Sequence, residues 1–185
     1  GENNAIVQII VTPVNDIPSF TIGVDIETSE DFGPFELFGW ATDVEDGDPE
    51  ETQNLTFELL ADNPEMFEIQ PTIDSSTGTL SFETAIDVTG SINVGVVLRD
   101  NGGTDYGGIE VSESISFVIN VESRNDPPIF TKGEDIGFED DPVYEDASGA
   151  IEYPGWATDI DDGDPELEQE YSFEIISNSN PTLFS

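Results

Sequence analysis

The sequence predicts an all-β protein, built as a Greek-key antiparallel β-sandwich that is repeated in tandem. Short segments alternate apolar and polar residues, and Gly, Pro, Asn and Asp separate them, a pattern typical of sandwiches. Residues 40–50 read WATDVEDGDPE, and residues 156–166 repeat nine of these eleven letters as WATDIDDGDPE. A motif that recurs in the sequence after about the length of one small domain indicates that the domain is repeated. No window shows sustained helical periodicity.

The alternating segments predict the strands one by one. Residues 5–11, which read AIVQIIV, predict a strand with Val7 and Ile9 on one face. Residues 55–59, 92–98 and 115–121 alternate in the same way, and residues 77–82 predict a turn that leads into a further strand. Residues 171–175 repeat the pattern of residues 55–59, so we expect a strand there as well.

Two proline-rich linkers predict the domain boundaries. Asn15-Asp16 and Asn125-Asp126 lie 110 residues apart (125 − 15), and prolines that cannot donate a ladder hydrogen bond follow each pair. Residues 1–14 are therefore expected to be the last strand of a preceding repeat. Residues 15–126 are expected to form a complete repeat, and residues 127–185 the N-terminal half of the next, as a piece of a longer chain. Such a half sandwich would leave an open sheet edge and an uncovered apolar face.

Composition excludes several classes of function. The 185 residues include 42 Asp and Glu, three Lys and Arg and no His, for a net charge of -39. Nucleic acid and anionic membranes are therefore poor partners, and no run approaches the ~20 apolar residues of a membrane span. Without Cys or His, the chain has no disulfide and no Ser-His or Cys-His nucleophile, so we expect no enzyme activity.

The acidic residues favour a hard cation. Calcium takes about six to eight oxygen ligands from carboxylates, amides and backbone carbonyls, and the softer thiolate and imidazole ligands are absent. An EF-hand is excluded, because its loop needs Gly at the sixth position, whereas Gly47 and Gly163 stand fifth. The alternative is that both DGDP segments are solvated turns.

The motifs together resemble a known family. The VNDIP and RNDPP linkers, the ED pairs ahead of GWATD, the TGTLSF turn, LRDNGGTDYGG and the SISFVINV strand are similar to the tandem cadherin-like repeats of large bacterial surface and secreted proteins. The resemblance implies calcium ions at the junctions between repeats. One junction would use Glu30, Asp100, Asn125, Asp126, Asp159 and Asp161, with Asp31 as an alternative to Glu30. The other would use Asn15, Asp16, Asp43 and Glu45.

The resemblance implies a calcium-binding repeat of an extracellular or cell-surface adhesin, in which calcium stiffens the linkers. The residues at 85–89 read AIDVT and lack the family's D-R-E motif, so we expect fewer ions per junction. The expected partners are calcium ions, neighbouring repeats of the same chain, and surface glycans or other cell-surface proteins. Two alternatives stay open: a carbohydrate- or surface-binding module that stacks an exposed Trp40 or Tyr106 on a sugar, and a passive halophilic stalk. Both tryptophans are expected to pack in the core or at a sheet edge.

Overall fold

A computed structural model describes residues 6–49, 52–137, 144, 149, 151–165 and 168–179. The chain divides into two compact units, unit 1 (Gly1–Arg124) and unit 2 (Asn125–Ser185). The described residues form eleven strands and two short 3-10 segments, Pro64–Met66 and Asp105–Gly107. The strands are β1 (Ser19–Thr21), β2 (Ile26–Ser29), β3 (Phe35–Leu37), β4 (Thr42–Glu45), β5 (Thr56–Ala61), β6 (Phe67–Ile73), β7 (Leu80–Thr84), β8 (Gly90–Arg99), β9 (Ile115–Glu122), β10 (Ile129–Lys132) and β11 (Ala157–Asp161).

Unit 1 contains three sheets. The four-stranded sheet has the order β2-β9-β8-β5, the three-stranded sheet has the order β3-β7-β6, and β1 pairs with β4. These sheets confirm the predicted all-β class and are consistent with a sandwich. One pair differs from the expected antiparallel arrangement, because β2 and β9 are parallel, with Ile26 opposite Ile119. Alternation in a sequence shows which face of a strand is apolar but not the direction of its neighbour.

The core of unit 1 lies on the inner faces of its longest strands. On β8 the fully buried side chains alternate along the strand and include Ile92, Val94 and Leu98, as the period of two requires. The rings of Trp40 and Phe117 lie 4.4 Å apart, and Trp40 is only 4% exposed. Its indole Nε1 donates a hydrogen bond to the Val24 carbonyl at 2.9 Å. Trp40 is therefore a core residue, as expected, and is not available to stack on a sugar.

Four of the predicted strands are confirmed and two predictions are wrong. Strands β5, β7, β8 and β9 occupy the segments predicted around residues 55–59, 77–82, 92–98 and 115–121. Residues 6–11 of the predicted N-terminal strand form no strand, and neither do residues 171–175; Ala5 lies outside the described residues. A strand needs a hydrogen-bonded neighbour as well as an alternating sequence. Neither segment is paired with any other described part of the chain.

The turn before β7 is held by one carboxylate. The side chain of Asp74 accepts hydrogen bonds from the hydroxyls of Ser76 and Thr77 at 2.6 and 2.9 Å, and from their backbone amides at 3.0 and 2.8 Å. These bonds lower the pKa of Asp74 to about 2, because they stabilise the charged form. The turn ends at Gly78, whose carbonyl accepts a bond from the amide of Ala41 at 2.9 Å.

Unit 2 contains the antiparallel pair β10-β11. Trp156 follows the pattern of Trp40 and donates from Nε1 to the Glu134 carbonyl at 2.8 Å. The rings of Phe130 and Phe173 meet edge to face at 5.1 Å, and those of Phe20 and Phe57 in unit 1 meet in the same way at 5.1 Å. The same local contacts therefore form in both units. No helix among the described segments has the length and apolar character that crossing a bilayer requires.

Candidate metal centre

Five polar residues come together at one end of unit 1, and we call them the Asn15 cluster. Asn15 precedes β1 and Asp100 directly follows β8, while the other members lie between β4 and β5. These three parts of the chain are far apart in the sequence, so the five residues meet only when unit 1 is folded. The Asn15 cluster consists of Asn15, Asp46, Asp48, Gln53 and Asp100.

Asp100 is the buried carboxylate of this cluster. It is 4% exposed, and its Oδ1 accepts hydrogen bonds from Asn15 Nδ2 at 3.0 Å and from the amide of Gly102 at 2.9 Å. Asn15 also donates to the Ile109 carbonyl at 2.9 Å, which anchors the linker on this loop. The second oxygen of Asp100, Oδ2, is buried and has no hydrogen-bond partner among the described residues.

Gln53 connects the loop between β4 and β5 to Asn15 of the VNDIP linker. Its Nε2 donates to Asn15 Oδ1 at 2.6 Å and to Asp48 Oδ2 at 3.1 Å, and its backbone amide donates to Asp46 Oδ2 at 2.9 Å. The amide of Asp48 donates to Asp46 Oδ1 at 3.3 Å, so Asp46 closes the DGDP turn upon itself. Gln53 Oε1 is a second buried oxygen without a partner in the described part of the chain.

Two glycines make close contacts at this end of unit 1, Gly102 with the cluster and Gly47 with the linker backbone. A Cβ at Gly102 would lie 1.9 Å from Asn15 Oδ1 and 2.5 Å from Gln53 Oε1. Gly47 adopts φ +81, and a Cβ there would lie 2.3 Å from the Ile17 carbonyl oxygen. The contact at Gly47 is with backbone, so this position requires glycine. At Gly102 a Cβ would displace the ends of the Asn15 and Gln53 side chains.

A second acidic group lies at the other end of unit 1. Glu30 is fully buried, and its Oε1 accepts a bond from the Arg124 amide at 2.6 Å. Its Oε2 is buried and lacks a partner among the described residues. The exposed Asp31 and Asp87 place one carboxylate oxygen each within 4.8 Å of the other. Like charges at this distance repel unless a cation or screening salt intervenes.

The predicted grouping of Asp100 with Glu30 is wrong. In the antiparallel pair of β8 and β9, Gly90 lies opposite Val121, so the start of β8 is at the end of the unit that holds Glu30 and Arg124. Asp100 follows the other end of this ten-residue strand, which is about 30 Å long. Asp100 therefore belongs with Asn15 and not with Glu30.

The remaining predicted ligands of unit 1 stand apart from the Asn15 cluster. Asp43 and Glu45 lie on β4 and are exposed, and Asp16 is exposed as well. Asp43 adopts φ 50 and accepts a bond from the Thr42 hydroxyl at 3.1 Å. No hydrogen bond within the described residues joins these three carboxylates to the cluster.

The predicted ligands of unit 2 have separate local partners. Asn125 Nδ2 donates to the carbonyl of Asp126 at 3.0 Å, Asp159 accepts from the Thr158 hydroxyl at 3.1 Å, and Asp161 accepts from the Gly163 amide at 2.9 Å. The loop after β11 repeats the turn found in unit 1. Its bonds run from Asp164 to Asp162 and from Gln169 to Asp162 and Asp164.

Three residues near these groups, Gln53, Gln169 and Asp87, were not predicted from the sequence. Gln53 and Gln169 make the same contacts in the two units, and each follows its Trp by thirteen residues in the sequence (53 − 40 and 169 − 156). The shared spacing could have identified both glutamines as part of the repeated motif. Asp87, the partner of Asp31, carries no such signal, because the turn between β7 and β8 alone brings it there.

No protein-family model and no curated protein sequence matches the chain. The Asn15 cluster offers only oxygen and amide groups, and its buried Asp100 Oδ2 lacks a donor among the described residues. Both features fit a hard cation such as calcium.

Proposed function

We propose that this chain is a calcium-binding, cadherin-like segment of a large extracellular or cell-surface adhesin. The observation that carries the proposal is the buried Oδ2 atom of Asp100, which faces no hydrogen-bond donor in the described residues. A buried carboxylate oxygen without a donor or a cation costs several kcal/mol. A cation held by Asp100 with the oxygens of its neighbours in the Asn15 cluster offsets that cost.

The donor set favours calcium over other divalent ions. The cluster supplies three carboxylates and two amide oxygens and neither sulfur nor imidazole, which zinc and copper prefer. Magnesium demands a near-ideal octahedron and retains its waters, whereas calcium accepts irregular oxygen sets. Extracellular calcium modules bind with dissociation constants of about 10⁻⁴ to 10⁻³ M, a range that suits the proposed location.

Calcium at the linkers is proposed to stiffen the chain. Asn15 belongs to the VNDIP linker, and it donates directly to the buried Asp100. An ion at this point couples the linker to the unit that follows it. In this proposal the neighbouring repeats of the same chain are the structural partners, and surface glycans or other cell-surface proteins are the targets.

Thermal unfolding of the full chain tests the proposal. At constant ionic strength, about 10 mM calcium is expected to raise the Tm by several degrees over the value in chelator, because it is about 10 to 100 times a dissociation constant in this range and adds about 1.4 to 2.7 kcal/mol to the free energy of unfolding. Titration calorimetry on the same sample measures the dissociation constant and the number of ions. Magnesium at the same concentration is the control and is expected to shift the Tm much less. Identical melting curves in calcium and in chelator would refute calcium binding.

A further inference from the structure

Asn101 is the only asparagine in the sequence that a glycine follows. It lies in the loop after β8, directly behind Asp100. In an Asn-Gly pair the backbone nitrogen of the glycine can attack the Cγ atom of the asparagine, because the glycine has no side chain that shields this nitrogen. Asparagine is chemically labile in proteins, and the Asn101-Gly102 pair is therefore the site in this chain where deamidation meets the least steric hindrance.

Hydrogen bonds hold both reacting groups of this pair. The Gly102 amide donates to Asp100 Oδ1 at 2.9 Å, and the backbone amide of Asn54 donates to Asn101 Oδ1 at 2.7 Å. Gly102 N attacks only when it loses its proton, and the carboxylate of Asp100 opposes that loss because it would then face a second negative charge. Ring closure also requires the Asn101 side chain to leave Asn54. The folded loop is therefore expected to slow the reaction.

The pair also adjoins the Asn15 cluster where the packing is tight. A Cβ at Gly102 would lie 1.9 Å from Asn15 Oδ1 and 2.5 Å from Gln53 Oε1, so little free space surrounds this backbone. Oδ1 of Asp100, the residue before the pair, accepts hydrogen bonds from both Asn15 and Gly102. A change in the length of the backbone at this point would displace these contacts, because closely packed groups cannot shift independently.

We propose that Asn101 is a site of spontaneous deamidation, which the folded loop restrains and which disrupts the Asn15 cluster once it occurs. A bond forms between Gly102 N and Asn101 Cγ, the bond between Cγ and Nδ2 breaks, and ammonia leaves with the proton of Gly102 N, which gives a five-membered cyclic imide. Water then opens the imide to aspartate or isoaspartate. Isoaspartate places one additional carbon atom in the backbone and one additional negative charge beside Asp100. The only co-reactant is water.

Peptide mapping of the full chain tests the restraint. The chain is incubated in chelator, so that the result does not depend on the proposed calcium function, both in its native state and unfolded in guanidinium chloride. Trypsin cleaves after Arg99 and Arg124 and releases residues 100–124, which contain Asn101 and Asn120. Deamidation of Asn101 is expected to be at least about tenfold slower in the native chain, because it requires local opening of the loop. Asn120 is the internal control, since the β-branched residue that follows it hinders attack in both states. Equal rates at Asn101 in the two states would overturn the proposal.

Two measurements test the contact with Asp100. Hydrogen exchange of the Gly102 amide in the natural chain is expected to be at least about tenfold slower than in the unfolded chain. Asp100→Ala removes the acceptor and is expected to raise the native deamidation rate of Asn101 at least about threefold. Asp105→Ala is the matched control, because it removes an exposed acid from the same loop. An unprotected Gly102 amide, or equal deamidation rates in the two variants, would overturn the restraint by Asp100.

Thermal melts of the separated products test the disruption of the cluster. The isoaspartate form and Asn101→Asp carry the same charge and differ only in the path of the backbone, so the variant is the matched control. In chelator the isoaspartate form is expected to melt several degrees below Asn101→Asp, because Gly102 can no longer keep its place against Asn15. Equal melting temperatures would show that the loop accommodates the longer backbone and would overturn this part of the proposal.

Discussion

Asp100 is the residue on which the proposed coupling between stability and calcium depends. It is 4% exposed, and only its Oδ1 receives hydrogen bonds in the described residues. A buried charge with incomplete hydrogen bonding destabilises the folded state, and the same charge gains strongly from a bound cation. The sign of its contribution to stability should therefore depend on calcium.

Asp100→Asn is expected to change stability in opposite directions with and without calcium. In chelator the variant should melt at the same temperature as the natural chain or higher, because the buried negative charge is gone while the Oδ1 acceptor stays. In calcium it should melt lower and bind calcium at least about tenfold more weakly, a loss of about 1.4 kcal/mol. Thermal melts and calorimetry in the two buffers measure both effects.

Asp105→Asn is the matched control for this pair of measurements. Asp105 lies on the short 3-10 segment of the same loop and is exposed. The control removes one acid from the same region and should leave the calcium affinity within about twofold of the natural value, since an exposed charge contributes little. A loss of affinity as large as that of Asp100→Asn would mean that only the total charge matters.

At the scale of elements, the turn before β7 determines how closely Gly78 approaches the backbone of Ala41. Gly78 adopts φ +66, and a Cβ at this position would lie 1.9 Å from the Ala41 carbonyl oxygen. The carbonyl of Gly78 accepts the Ala41 amide at 2.9 Å, next to the buried Trp40. The turn therefore holds the strand of the WATD motif against the three-stranded sheet, and glycine is needed for both its conformation and its size.

Gly78→Ala is expected to destabilise unit 1 by at least about 3 kcal/mol, since it combines left-handed backbone strain with a clash against backbone. Gly33→Ala is the control, because Gly33 has φ +80 but a Cβ there would meet nothing within 4 Å. It should cost about 1 to 2 kcal/mol from the backbone conformation alone. Urea unfolding of both variants measures the difference. Equal losses would show that the close approach to Ala41 is not maintained in solution.

At the scale of the whole molecule, charge is the dominant feature. The chain carries 42 acidic and three basic residues, and one of the three, Arg99, is bound at 2.7 Å by both Glu58 and Glu110. The hydrogen bond and the charge of Arg99 lower the pKa of Glu58. The remaining acids repel one another, so the compact state should depend on salt.

Sodium chloride is expected to raise the Tm of the chain in chelator, because the screening length falls from about 10 Å at 0.1 M to about 3 Å at 1 M. Asp100→Asn should respond to sodium chloride as the natural chain does, since screening acts on all exposed acids together. Thermal melts over a salt series measure this dependence. If salt in chelator stabilised the chain as much as millimolar calcium does, the passive halophilic stalk would be the better description.

The sequence by itself determined the all-β class and located four of the nine strands of unit 1, and it indicated the chemistry of the proposed metal ligands. Alternation located β5, β8 and β9, and the abundance of Asp, Glu and Asn indicated a hard cation. These features are local in sequence, because the side-chain period of a strand and the preference of an oxygen for calcium need no knowledge of distant neighbours.

Only the tertiary structure decided which of the predicted ligands lie together and which strands form. It placed Asp100 with Asn15 and not with Glu30, because the direction of β8 against β9 carries the two acids to opposite ends of unit 1. It also left residues 6–11 unpaired although they alternate as β9 does. Strand pairing and the grouping of ligands both depend on long-range contacts, whose partners a local pattern cannot specify.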